Sequence, residues 1–546
     1  MPRLSSLCAL SSALLAASAQ CAPEVRRLEN ANYVFNAIHS SMRQWGSSLS
    51  PGHNGMSFFI ATLPKGQQLY HGTGRVERIN DTEWLAFEPE HALHFARSRR
   101  APPPGRGGPP GHEGEPWHPP QEMDDEYPHW HSAPPKHDLK ARHIPGDRPL
   151  THTAAQRARA DSKAHREPLL DSELPPDGDL SGYLHTYRAK HDIRLLYLDG
   201  QSAAKSDLGT LDSQDVVLLH GSPPPREDRP KHARAKIFGP PKGDEKRGPM
   251  NEAYRAAKLC EMAQKQWQGK VDGFLRMELG FEIILCSFKD HLEVERITRT
   301  QNGGGRGGFG PGCGHDISAL NYYQAVASRF DGIGGDRVRV DYEKFVTLFT
   351  YPQAHYFNDR GLPRAVNESK AIVPVLDAVT DMILDENEDP TTNWQAVTDL
   401  VVSRYSDRIE RITSGSIPSS ISDLRKLLEA ALRPFIDYSA RNATLETFPS
   451  HAIMSVTSTL CSRFLLASEQ DNLEHAISMI QELKDWLGWS TWKRCRGCEV
   501  DEVCFVPIWP MGGKEDMENP RCISNASEVG SGYWGGHFGG PPPPPF

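Results

Sequence analysis

The segment from Ser98 to Gly178 most constrains how this chain folds. It opens SRRAPPPGRGGPPGHEGEPWHPPQEMDDEYPHWHSAPPKHDLK, crowding proline, glycine and charge together. Such a sequence cannot bury enough apolar surface to offset the entropy lost on ordering, about 1–2 kcal/mol per residue for the backbone alone. Residues 98–178 are therefore predicted to be a disordered insertion. Its histidines, His112, His118, His129, His131, His137 and His143, read as side chains of a solvated loop, with transient metal binding the sharper alternative. A folded domain must then be assembled from sequence on both sides, 20–97 and 179–350.

The flanks carry the patterns such a domain needs. Phe58–Arg97, FFIATLPKGQQLYHGTGRVERINDTEWLAFEPEHALHFAR, reads as a strand, an exposed His-Gly turn, a second strand and a short helix. Ile193–Leu198 is a β-like run ending at Asp199-Gly200. Glu252–Gln266 has helical spacing, and Phe281–Cys286 is an apolar strand interrupted by one acidic residue, Glu282. Val338–Val340 reads as a further strand, followed by a helix at Tyr342–Val346. Ahead of them, Leu28, Val34, Ile38 and Met42 recur at the period of an amphipathic helix. A second Pro- and charge-rich patch, Ser222–Met250, is expected to be an exposed loop, and Asp199, Asp212 and Asp215 are expected at exposed turn positions.

The fold class expected is α+β. A mixed sheet drawn from 56–97, 193–220, 271–290 and 336–350 carries packed helices, and a mainly helical subdomain follows at 351–490. In that subdomain Trp394, Val397, Leu400, Val401, Tyr405, Ile409 and Ile412 make an apolar stripe, and further helices are expected at 421–431, 451–466 and 472–486. A Cys-rich segment with a Pro-rich tail closes the chain at 491–546.

The N-terminus carries an address. Arg3 precedes the apolar run Leu7–Ala17, and Ala17-Ser18-Ala19 has the small-x-small pattern of a cleavage site, so 1–19 reads as a signal peptide with Gln20 as the mature start. Sequons at Asn80, Asn367, Asn442 and Asn525 fit passage through a secretory lumen. Cys495, Cys498, Cys504 and Cys522 crowd into the C-terminal segment, where two disulfides are expected and a zinc knuckle is the alternative. The net charge of −9 includes no sustained basic block, which argues against a nucleic-acid partner. No stretch is long and apolar enough for stable membrane insertion. Together these features predict a secreted, extracellular glycoprotein.

The segments YVFNAIHSSMRQWGSSL, SFFIATLPKGQQLYHGT, EWLAFEPEHALHFAR, IRLLYLDGQSAAKSDLGTLDSQD, DGFLRMELGFEIILC and VVSRYSDRIERI, together with the leader, resemble a family of secreted fungal proteins usually described as hypothetical. That resemblance implies an extracellular setting with large variable loops and brings no activity. More remotely, Leu69-Tyr-His-Gly-Thr73 is similar to the first motif of ADP-ribosyltransferases related to the poly(ADP-ribose) polymerases. The resemblance implies that His71 contacts the ribose of NAD and that the Gly72 backbone meets the carboxamide. In Glu88–Ala96 it gives Phe95 the stacking role usually held by tyrosine. It assigns the catalytic strand-borne glutamate to Glu282, with Glu278 second. A carboxylate there would stabilise the oxocarbenium-like state formed as nicotinamide departs.

Other enzyme signatures are missing from the sequence. There is no Gly-x-Ser-x-Gly elbow and no His-Glu-x-x-His pair, and the glycine-rich run 303–316 lacks phosphate-loop spacing. Two classes remain. The leading one is a non-catalytic protein that binds an unknown extracellular or cell-wall partner and needs no cofactor. The other is an ADP-ribosyltransferase-like or NAD glycohydrolase-like enzyme, for which NAD is a substrate.

Overall fold

The computed structural model describes residues 28–43, 55–93, 95–96, 182–201, 212–219, 252–277, 280–300, 316–325, 337–358, 361, 363–386, 392–415, 418–432, 447–493, 495, 497–506, 516, 519–525 and 528. The segment 1–19 read as a signal peptide, the expected insertion 98–178, the patch 222–250 and Glu278 lie outside the described residues.

Nine strands form one sheet among the described residues. They are β1 Ser57–Leu63, β2 Gln68–Thr73, β3 Glu83–Ala86, β4 Tyr183–Ala189, β5 Ile193–Gln201, β6 Gly273–Met277, β7 Phe281–Leu285, β8 Leu292–Arg299 and β9 Arg339–Thr347, in the order β8-β4-β2-β3-β7-β6-β5-β1-β9. Neighbours are antiparallel except for β5 and β6, which run parallel, so the sheet is mixed. The β1–β5 ladder ends at Leu63 and Ile193, and the β2–β4 ladder begins at Gln68 and Arg188. Backbone bonds from Gly66 N to the Ala189 carbonyl and from Ala189 N to the Gln67 carbonyl join the two ladders. Because β3, β7 and β6 lie between them in the sheet order, the sheet must coil back on itself.

The fold is α+β, with helices packed on this sheet and a helical continuation. Helix α1 spans Ala31–Ser40, α2 Pro89–Leu93, α3 Glu252–Lys265, α4 Phe288–His291 and α5 Asp316–Tyr323. A wide helical turn, Ser213–Leu218, precedes α3. Beyond the sheet come the hairpin β10 His355–Phe357 with β11 Pro363–Ala365, then α6 Ser369–Leu384, α7 Trp394–Thr413, α8 Ile421–Leu432, α9 Phe448–Ser468 and α10 Leu473–Leu487. The apolar stripe of α7 is buried at Trp394, Val401, Tyr405, Ile409 and Ile412, as its period requires, whereas Leu400, expected in the stripe, lies on the outer side of the helix and is 56% exposed. Helix α1 packs among these late helices. Asn32 and Asn36 donate to the Trp486 and Leu487 carbonyls, capping the end of α10, and Arg43 forks onto Asp399 of α7 at 2.7 Å through both nitrogens.

Four expectations need correction. His71-Gly72 is not an exposed turn but a buried part of β2, because its backbone pairs with His185 and Leu184 of β4. Tyr342–Val346 is not a helix but part of β9, because its backbone pairs with β1 across a bulge at Phe59/Ile60. Strand β8, LEVERITR, was not foreseen: as a half-exposed edge strand it alternates charged and apolar residues too irregularly to stand out. Asp199 and Asp212 are not exposed turn residues, being 0% and 3% exposed. Asp199 Oδ1 accepts from the Tyr197 hydroxyl, and Asp212 accepts from Arg364 and from the Ala365 amide.

Disulfides Cys495–Cys504 and Cys498–Cys522 staple the C-terminal segment, across the small hairpin β12 Val503–Phe505 and β13 Arg521–Ile523. Cys495, Cys498 and Cys522 do approach within 4.8 Å of one another, but their sulfurs are engaged in these bonds. A third bond, Cys260–Cys286, ties α3 to the end of β7. No helix among the described residues is long and apolar enough to cross a membrane.

Candidate functional site

Strands β2, β3 and β7 lie side by side and carry the residues that the sequence singles out. Tyr70 faces Ala86, and Ala86 faces Glu282, which in turn faces Arg276 of β6. Directly opposed residues of antiparallel strands point to the same face of a sheet, and successive residues of one strand to opposite faces. Glu282 therefore shares its face with Arg276, Tyr70 and Gly72, while His71 projects from the other. The two are also separated by two inter-strand spacings, about 10 Å.

The Glu282 face is covered by α2. A Cβ on Gly72 would lie 1.8 Å from the Ala92 carbonyl oxygen, so this glycine admits the α2 backbone directly against the strand. That contact swings His91 over the sheet, where its Nε2 lies 3.8 Å from Glu282 Oε2. The His91 Nδ1 is buried without a hydrogen-bond partner among the described residues. Burial pushes the His91 pKa down to about 4, against the opposing pull of the Phe281 carbonyl and with further lowering by Arg276, so the ring is neutral near pH 7. Phe95 follows one turn later, its ring 6.1 Å from that of His91 and 49% exposed.

Arg276, 1% exposed, anchors the carboxylate. Its Nε donates to Glu282 Oε1 at 2.8 Å, and its terminal nitrogens donate to Gln214 at 2.7 Å and Glu252 at 2.6 Å. Arg255 extends the network, bidentate to Asp215 at 2.9 Å and 3.4 Å from Glu252. Buried charges persist where they are paired and hydrogen-bonded in this way. Tyr322 of α5 is buried on the same side; its phenol is pushed well above 10 by burial first, then by Tyr323 and the Glu282 charge.

The His71 face is built differently. His71 Nδ1 donates to the Trp84 carbonyl at 2.7 Å, which fixes its tautomer, and its ring meets His185 and Phe288 edge-on. His185 donates from Nε2 to the Arg75 carbonyl at 2.8 Å and accepts at Nδ1 from the Tyr187 hydroxyl, which itself accepts from the Ile79 amide. Burial lowers the His185 pKa and raises that of Tyr187 to about 12, so this chain of bonds holds both groups neutral. Together they pin the loop Arg75–Thr82 over the sheet.

The structure thus brings Glu282 and Phe95 to one side, bridged by His91, and places His71 on the other. Gly72 serves helix packing. His91, Arg276 and Tyr322 went unnoticed in the sequence. Arg276 left a signal, since one basic residue in the strand GFLRM and one acidic residue in FEIIL stand at matched distances from the turn between them. His91 had only its place one helical turn before Phe95.

Residues 24–302, more than half of the chain, match the family model of the YPL277C N-terminal domain. Two proteins of the yeast Saccharomyces cerevisiae are similar over the same share of the chain. Uncharacterized protein YOR389W is 28% identical over 268 residues, which are 49% of this chain and 33% of that protein. Uncharacterized protein YPL277C is 29% identical over 269 residues, 49% of this chain and 42% of its own length. The match therefore spans less than half of either relative. No solved structure matches the chain. By the extent of its match, through every strand from β1 to β8, with Glu282, Arg276 and His91 of one face and His71 and His185 of the other, the chain belongs to the family of the YPL277C N-terminal domain.

Proposed function

We propose that this chain is a secreted, disulfide-braced glycoprotein that acts by binding an extracellular or cell-wall partner, without catalysis. One observation carries the non-catalytic part: His71 and Glu282 leave the sheet on opposite faces, and the Glu282 carboxylate is engaged by buried Arg276. A transferase of the kind the sequence resembles needs histidine and glutamate on one ribose. The signal-peptide pattern, the disulfides and the exposed sequon residues Asn80, Asn367 and Asn525 support the secretory part. For contact with a partner, β10 offers Tyr356 and Phe357, 49% and 42% exposed, the latter ring 5.4 Å from Tyr33. Aromatic residues of this kind are enriched at binding surfaces.

The test uses the full chain expressed in a fungal host. It is expected in the medium and bound to isolated cell walls, with binding reduced at least about five-fold in the Tyr356→Ala/Phe357→Ala variant, as for removal of a binding anchor. Purified protein given NAD should release no nicotinamide above the blank. Release that Glu282→Gln abolishes would overturn the non-catalytic reading.

That outcome would establish the second reading, an ADP-ribosyltransferase-like or NAD glycohydrolase-like enzyme. A specific observation favours it: Phe95 is open to solvent, and through His91 it stands on the same side of the sheet as Glu282. An aromatic platform and a buried carboxylate are two of the three groups the resemblance asks for.

A further inference from the structure

A cleft of about 410 Å³ opens between the loop Arg75–Glu83 and α3. That volume is within the range of about 300–1,000 Å³ typical of small-ligand sites, room for one or two sugar rings. Its α3 wall is apolar and shallow, formed by alanines including Ala253 and Ala257, while Arg75, Arg78 and Glu83 stand along the loop wall. Asn80, the acceptor of the sequon Asn80-Asp81-Thr82, also lines the cleft, and its side chain is exposed.

The two walls are held in place. The Cys260–Cys286 bond joins α3 to the end of β7, and Thr82 donates to the Cys286 carbonyl at 2.9 Å. The Asn80 and Asp81 carbonyls accept from the Lys289 and Phe288 amides of α4. From below, the Arg75 carbonyl and the Ile79 amide are bonded to His185 and Tyr187. The Asn80 backbone is thus fixed while its side chain remains free at the edge of a preformed cleft.

From this geometry we infer that the cleft is the seat of the chain's own glycan on Asn80, whose first sugars lie in it. The inference rests on the secretory part of the proposed function. A sugar has C–H faces that suit alanine methyls and hydroxyls that suit guanidinium donors and a carboxylate acceptor. Attachment to a fixed backbone removes most of the entropy that a free oligosaccharide would lose on binding. Asn367 and Asn525 are exposed as well, but neither lines this cleft, and both serve as internal controls.

The experiment uses the full chain secreted from a host that adds high-mannose glycans. The native protein is digested with an endoglycosidase, and each sequon is followed by peptide mass spectrometry. Asn80 is expected to be occupied and trimmed at least about ten-fold more slowly than Asn367, as a contact worth a few hydrogen bonds would give. Ala257→Trp, which fills the cleft from an already partly exposed helix position, should bring Asn80 trimming up to the Asn367 rate while circular dichroism stays unchanged. An unoccupied Asn80 beside an occupied Asn367, equal trimming rates in the parent chain, or a small molecule carried by Asn80→Gln in native mass spectrometry would each overturn the inference. A chain that bears no glycan at any sequon would overturn the secretory reading along with it.

Discussion

The two faces of the β2–β3–β7 region solve the same problem, a buried polar layer, by opposite means. On one face Glu282, Glu252 and Asp215 are held as charges by Arg276 and Arg255. On the other, His71, His185 and Tyr187 are held by hydrogen bonds to backbone carbonyls and amides, with His185 and Tyr187 kept neutral by burial. The difference teaches where the molecule is brittle. A buried neutral group that loses its partner forfeits a hydrogen bond, worth about 1–3 kcal/mol with its desolvation, whereas a buried charge left alone costs about 3–5 kcal/mol.

The largest expected effect follows from that contrast. Arg276→Met should destabilise the chain by about 3–5 kcal/mol in urea unfolding, since it strands Glu282 and Glu252 beside an apolar side chain. Adding Glu282→Leu should recover much of the loss, because the double variant leaves one fewer uncompensated charge. A loss below about 1 kcal/mol for the single variant, as for an exposed pair, would show that the charged face is not sealed from water.

Next in size is a pH effect led by His91 on the Glu282 face, to which His185 on the other face adds in the same direction. The unfolded chain takes up a proton on the His91 imidazole near pH 6.5, the folded chain only near 4. Between these values the unfolded state binds more protons, so stability falls as pH drops from about 6.5 to about 4 and is fully present above 6.5. The span corresponds to about 3 kcal/mol as an order of magnitude. His91→Leu should remove the larger part of that slope from a series of denaturation midpoints, leaving the share of His185, and a slope unchanged by the substitution would place its origin elsewhere.

The sequence made the elements legible better than their neighbours. Helices α7, α9 and α10 and strands β1, β5 and β7 follow from apolar periods, because each buries one continuous stripe or run. Strand β9 is legible only in its first half, since Tyr342–Val346 carries spacing compatible with a helix, and pairing with β1 decides its conformation. The candidate site was legible only as residue types. That Glu282 sits beside Arg276 depends on the β6–β7 register, and that His71 faces away from it depends on a single bridge, Tyr70 with Ala86. Registers are set by long-range packing, and nothing local in QLYHGT or FEIIL announces them.

The smallest predicted effect separates the two faces by shape alone. Gly72 points to the Glu282 face, where the α2 backbone leaves no room for a methyl group: the added carbon would lie 1.8 Å from the Ala92 oxygen and 2.8 Å from the Ala96 nitrogen. Neither is the free end of a flexible side chain, so Gly72→Ala must push α2 off the strand, at about 1–3 kcal/mol. His91 rides on α2, and its displacement should open the buried ring to water. The variant should therefore show a raised His91 pKa by NMR titration, while the His185 resonances, on the far face, stay in place. If His185 moves as much as His91, the faces are coupled through β2 and the contrast between them fails. If neither moves, α2 is not held by its contact with Gly72, and the position of His91 over Glu282 needs another cause.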